Sequence, residues 1–216
     1  MTAMGLHVEA LSKVLAAELK HGVRSMLIVG SAGMGKSTAA RQLAKLSEGP
    51  VIVLDSTAAK SAAAWTVAAN WRPGAVIIED LDHAIEADKN AANLILGQLE
   101  RIRLSTRLVL MTANSMPTLA PTEDGQDPLT RTGRVDHVIV LDSLDAGLAS
   151  RLGAALPSDV LSASIKRGFS ASDIQELGIR WSAHPDRRAS IAAQVIDGSG
   201  TPRQLLDQMF EDLCAK

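Results

Sequence analysis

Five short, continuously apolar runs punctuate the first two thirds of the chain. They are residues 25–30 (SMLIVG), 51–55 (VIVLD), 75–79 (AVIIE), 107–112 (RLVLMT) and 138–141 (VIVL). Runs of four to six apolar residues, bounded by Gly, Pro and charged positions, predict strands buried on both faces. Between them the period changes to that of helices. Leu11, Val14, Leu15 and Leu19 share one helical face, and His21-Gly22 ends that segment. A helix is predicted over 38–47, stopped by Gly49-Pro50, and an alanine-rich one over 58–71, broken by Pro73-Gly74. Another is predicted over 91–102, with Leu94, Ile95, Leu99 and Ile102 turned inward. A proline-bearing loop covers 116–128. Strands alternating with helices predict an α/β fold with a parallel sheet. After Asp145 the strand signals stop, and 148–156, 158–166, 170–180, 188–195 and 202–213 all read as helices. The expected division is an α/β core over 1–145 and a small helical domain over 146–216.

Charge and composition narrow the function. The chain has 216 residues, with 22 Lys and Arg against 24 Asp and Glu, a formal net charge of −2. The excess lies in the first part, with 14 basic and 16 acidic residues up to Asp145, and 8 and 8 after it. Neither part has the basic surplus of a nucleic-acid or membrane-surface binder. Aromatic residues are 2% of the chain, which argues against stacking platforms for bases. A single cysteine, Cys214, excludes an internal disulfide framework and a structural zinc site, and is expected to be inert. No apolar run approaches a membrane span, and the N-terminus lacks an apolar signal-peptide core, so the expected compartment is the cytoplasm.

The chemistry concentrates at the ends of the predicted strands. Gly30-Ser31-Ala32-Gly33-Met34-Gly35-Lys36-Ser37 matches G-x-x-x-x-G-K-[ST] and is followed by Thr38. Glycines let backbone N–H groups curl around nucleotide phosphates, and the helix opening near Lys36 turns its positive end toward them. Lys36 is expected to reach the β- and γ-phosphates and Ser37 to hold Mg²⁺. The third strand ends in Glu79-Asp80-Leu81-Asp82. Carboxylates leaving a buried apolar strand need a partner. Mg²⁺ beside the phosphates is a natural partner for one of them, and polarising the attacking water is a natural task for another. The fourth strand leads into Asn114, at the strand end that faces the crevice of an open α/β sheet. Arg131 and Arg134 flank Gly133 just before the fifth strand, and their planar forks suit phosphate.

With these residues in hand, the chain resembles the AAA family of ATPases, within the AAA+ class, from about Arg24 to Arg180. The resemblance rests on the phosphate loop Gly30–Ser37, the acidic strand end Glu79-Asp80, the Asn114 position, the segment Arg131-Thr132-Gly133-Arg134-Val135-Asp136, and Gly168-Phe169-Ser170-Ala171-Ser172-Asp173. The last is similar to the family's G-F-S-G-A-D element, which opens a helix of the lid. Within the family the chain is most similar to the clade of the mitochondrial Rieske-protein translocase. The order Glu-Asp, the tail Gly133-Arg134-Val135-Asp136 and the 23 residues between Asp55 and Glu79 point there. That interval holds no aromatic–glycine pore loop. The clade's membrane anchor and middle domain are not expected here.

The resemblance implies a P-loop NTPase core with a five-stranded parallel sheet in the order 5-1-4-3-2 and a C-terminal helical lid, with ATP at their junction. It implies ATP and Mg²⁺ as cofactors, the latter held by Ser37 and Glu79. It also implies that Asp80, or else Glu79, polarises the water, that Asn114 orients it or touches the γ-phosphate, and that Arg131 and Arg134 act as arginine fingers on a neighbour's ATP. The active form is then a ring or spiral of six or seven copies. Asp82 is a reserve carboxylate or a structural charge. Arg203 follows a strong helix start, Thr201-Pro202, and is read either as a nucleotide contact or as a surface or subunit contact. Trp65 and Trp71 are expected to pack their helix on the sheet, and His83 to be a surface group. Arg101, Arg103 and Arg107 form a basic cluster at a helix end, solvated or facing a pore or nucleic acid. Three functions follow: an ATP-driven remodelling motor for a protein or complex, acting on an unknown protein substrate or adaptor; a nucleic-acid loader or regulator, disfavoured by the charge; or an ATP-switched assembly with little turnover.

Overall fold

A computed structural model describes residues 3–86, 89–117, 119, 127–131, 133–141, 144 and 146–214. Its contacts divide into two units, residues 7–31 with 36–142, and residues 1–6 and 32–35 with 143–216.

The first unit is built on five parallel strands, β1 (Arg24–Gly30), β2 (Val51–Leu54), β3 (Ala75–Ile78), β4 (Leu108–Ala113) and β5 (His137–Leu141). Their order is β2-β3-β4-β1-β5, the expected one read from the other edge. The three central strands are almost entirely buried because helices cover both faces. The helices are α1 (Ala3–Glu18), of which residues 7–18 belong to this unit, α2 (Lys36–Ala44), α3 (Ala62–Asn70), α4 (Leu81–Glu86) and α5 (Lys89–Ile102). The main core joins alternate residues of the strands, such as Leu27, Val76, Ile78, Val109 and Met111, to Trp65 of α3 and to Ile95, Leu99 and Ile102 of α5. The edge strands differ: Val51 and Val53 of β2 and Val138 and Val140 of β5 are exposed.

Several expectations change in detail. The helix expected over 58–71 is split. A 3-10 turn, Ala58–Lys60, is followed by Ser61 in an extended conformation, and only then by α3. Ser61 accepts from the Ala64 amide, so it caps α3 rather than lying within a longer helix. Trp65 is fully buried and its indole N–H donates to the Ala59 carbonyl at 2.8 Å. Trp71 does not pack on the sheet. It lies past the last residue of α3, before Arg72 turns the chain at φ 46°, and is 68% exposed. Val14 is likewise exposed, whereas Leu15 and Leu19 are buried. Helix α2 stops at Ala44 because residues 45–47 tighten into i→i−3 turns.

The second unit contains α6 (Ala146–Leu152), α7 (Ser158–Lys166), α8 (Ala171–Ala183), α9 (Arg188–Asp197) and α10 (Pro202–Cys214). Its own core includes Phe169, Ile174, Leu177, Trp181, Ile191, Val195, Leu205 and Met209. Ser170 caps α8: its Oγ accepts from the Asp173 amide while the Asp173 carboxylate accepts from the Ser170 amide, a reciprocal capping box.

Candidate functional site

The site grows from the carboxyl ends of β1, β3 and β4, where an open α/β sheet leaves a crevice. Register sets its layout. Val29 of β1 pairs with Ala113 of β4, so Gly30 and Asn114 leave the sheet side by side. Ile78 of β3 pairs with Met111, so Glu79 and Asp80 emerge beside Thr112.

The phosphate loop leaves β1 at Gly30, where a Cβ would stand 2.6 Å from the Leu141 carbonyl oxygen, so no side chain fits. Gly33 and Gly35 have φ of 77° and 80°, the left-handed region in which glycine is unstrained. Within the helical unit, the Ser172 amide and hydroxyl both donate to the Gly33 carbonyl. Helix α2 opens at Lys36 and carries Ser37 and Thr38 in its first turn. Lys36 is buried. Its ammonium donates to the carbonyls of Gly30 at 2.7 Å and Ser31 at 3.0 Å, and to Asn114 Oδ1 at 2.9 Å, using all three protons. Burial pushes its pKa down, and the negative charges of Asp80 and Asp82 partly restore it.

The acidic strand end divides into three environments. The Glu79 amide donates to the Leu54 carbonyl, and its carboxylate pairs with Arg41 of α2 at 2.9 Å. Asp80 is exposed, sits at φ 53°, and its amide donates to the buried Thr112 hydroxyl at 3.2 Å. A non-glycine residue in that region is strained, and such strain gathers at functional sites. Asp82 is 3% exposed, and its Oδ2 accepts from the amides of Asn114 at 2.9 Å and Ser115 at 3.3 Å. The exposed His83 places Nε2 3.4 Å from Asn114 Nδ2.

Arg41 and Thr112 were not foreseen. Spacing on α2 places Arg41 one turn beyond Ser37, and Thr112 is the one hydroxyl in an apolar strand; these were their only signals.

Arg131 and Arg134 part company. Arg131 is exposed and its side chain has no partner among the described residues. Arg134 is turned to its own chain: its side chain is 14% exposed, Nε donates to Glu100 of α5 at 3.0 Å, and Nη1 donates to the Pro128 carbonyl at 2.5 Å. Arg203 is exposed and pairs with Asp207 one turn later. The basic cluster is mostly structural. Arg103 bonds Asp136 and Ser25, Arg107 donates to the Leu19 carbonyl, and only Arg101 is exposed without a partner among the described residues. Asp136 shows what that costs and gains: burial would raise its carboxyl, but the Arg103 guanidinium and the Ser25 amide and hydroxyl outweigh burial and hold it below the ordinary value.

No helix among the described residues is long and apolar enough to cross a membrane. No curated protein matches the chain. The model of the AAA family, the ATPase family associated with various cellular activities, matches residues 26–143, which is more than half of the 216 residues and takes in most of β1 and all of β2 to β5. On that match the chain belongs to the AAA family.

Proposed function

We propose that the protein is a Mg²⁺-dependent ATP hydrolase that works as a ring or spiral of copies in the cytoplasm. Its turnover would drive remodelling of a protein or complex, reached directly or through an adaptor. The observation that carries the ATPase reading is the convergence on Lys36: a buried ammonium bonded to Gly30, Ser31 and Asn114, beside glycines with left-handed φ. A loop of that shape offers amide groups and one cation to phosphate, so the residues fit the nucleotide.

Gly30 to Thr38 would hold the phosphates, and Ser37 with Glu79 would hold the metal. Bound there, Mg²⁺ would neutralise phosphate charge and fix the phosphate geometry. Lys36 would exchange its loop carbonyls for phosphate oxygens. Asn114 would orient the attacking water, and the Asp80 carboxylate would take its proton. Glu79 must first leave Arg41. Arg131 is the residue we assign to a neighbour's ATP. Arg134 would brace the loop that presents it, unless assembly frees it from Glu100. Arg203 we assign to a surface or subunit contact. Kinship with the clade of the mitochondrial Rieske-protein translocase is supported by the Glu79-Asp80 order, by Gly133 to Asp136 and by the short 55–79 interval.

The test is phosphate release by the purified protein with Mg²⁺ and ATP, beside Lys36→Ala. Turnover lost in the variant supports the reading, and equal turnover in both refutes it. A second reading, an ATP-switched assembly with little turnover, is favoured by the Arg41–Glu79 pair, which occupies the carboxylate that the metal needs. It predicts tight ATP binding with less than one turnover per binding event.

A further inference from the structure

Asp82 lies outside the pair of carboxylates to which hydrolysis has been assigned, yet it is the most buried of the three acids at that strand end. Only one of its oxygens is used. Oδ2 accepts both amides at the exit of β4, while Oδ1 is buried and has no partner among the described residues. A carboxylate kept for stability alone would have both oxygens satisfied, since a bare buried acceptor costs free energy. The bonds it does make converge on one residue. The Asn114 amide is held by Asp82, and the Asn114 Oδ1 accepts from Lys36. Asp82 itself rides on α4, whose Leu81, Ala84 and Ile85 are buried in the core, so the anchor is rigid.

We propose that Asp82 is a positioning residue. It locks the backbone at Asn114–Ser115 so that the Asn114 amide group meets Lys36 and, in turnover, the attacking water. The inference rests on the ATPase reading for its consequence but not for its geometry. Among the described residues the loop after β4 has few other ties: Asn114 is half-buried, Ser115 and Met116 are exposed, and of residues 114–117 only Pro117 is buried. Without the Asp82 oxygen, Asn114 keeps its bond to Lys36 only through a mobile side chain.

The experiment has two readouts. Amide hydrogen exchange is followed over residues 112–117 in the nucleotide-free protein, and kcat, KM and ATP affinity are measured separately. Asp82→Ala is expected to speed exchange in that segment and to lower kcat about ten- to a hundredfold, the range seen when the outer partner of a site group is removed, with ATP affinity little changed. Asp82→Ala/Asn114→Ala should be no worse than Asn114→Ala alone, because the first residue acts through the second. Asp82→Asn keeps an acceptor oxygen in place, so it should restore both the protection and most of the rate. Unchanged exchange in Asp82→Ala, or additive losses in the double variant, overturns the proposal. Should Asp82→Ala fail to fold, Asp82→Asn decides: protection with rate retained supports positioning, and protection with rate lost shows that the charge itself acts and overturns it. A wild-type chain without turnover would sink the ATPase reading, and the exchange result would still judge the lock on Asn114.

Discussion

Glu79 and Asp80 are neighbours in sequence with opposite situations. Glu79 is spoken for by Arg41, whereas Asp80 is exposed, strained and free of side-chain partners among the described residues. Asp80→Asn is therefore expected to keep ATP affinity and lose about a hundredfold or more in turnover, the scale of losing a proton acceptor. Glu79→Gln should weaken Mg²⁺ binding first, seen as a raised metal requirement in the same assay. Arg41→Ala separates the two readings of function: if the Arg41–Glu79 pair restrains the site, turnover rises. At the far end of the sheet, Asp136 makes a different prediction. Its carboxyl is held below the ordinary value in the folded chain, so it contributes stability in full above the unfolded carboxylate range. That contribution drains away as pH falls through the folded value. Urea midpoints at neutral pH and near pH 3 should show wild type losing more than Asp136→Asn, which gives up about 1–3 kcal/mol already at neutral pH by stranding Arg103. The loop and acid motif could be read from residue types alone because their chemistry needs those residues. The partition among Glu79, Asp80 and Asp82 could not, because it depends on which side chain meets Arg41 and which meets two amides across 32 and 33 residues of chain.

Elements were legible where their period was long or their buried run uninterrupted. Helix α5 and the strands β1, β3 and β4 fall within a residue or two of where the apolar pattern places them. Helix α4 was missed because six residues give less than two turns, and the acids before it read as strand-end chemistry, although Leu81, Ala84 and Ile85 keep the i, i+3, i+4 spacing. The break at Ser61 was hidden by alanine, which favours helix throughout and marks no boundary. The capping box at Ser170 and Asp173 was visible because it is written in two polar residues three apart, and Ser170→Ala should cost about 0.5–2 kcal/mol of stability by chemical denaturation. Gly30→Ala should cost more than a propensity change, because its Cβ would meet the Leu141 backbone of the neighbouring strand and push β1 from β5. A loss of less than half a kcal/mol would contradict the close approach.

At the scale of the whole molecule, the parallel sheet and the change from α/β to all-helical chain followed from the pattern, since each parallel connection needs a crossover and no strand lies between the later helices among the described residues, whereas the strand order followed from the resemblance to the AAA family. What the chain acts on left no comparable mark. The near-neutral charge and the absence of an aromatic–glycine pair between residues 55 and 79 narrow the choice without naming a partner. The exposed Arg131 has no side-chain partner among the described residues, as the proposed role toward another copy requires. The most direct test of the account is ATP turnover per subunit, with Mg²⁺, across a wide range of protein concentration, alongside Arg131→Ala. Turnover per subunit is expected to climb steeply with concentration and to be lost in Arg131→Ala while ATP still binds. Turnover that is flat with concentration and unchanged by Arg131→Ala would contradict a site shared between subunits.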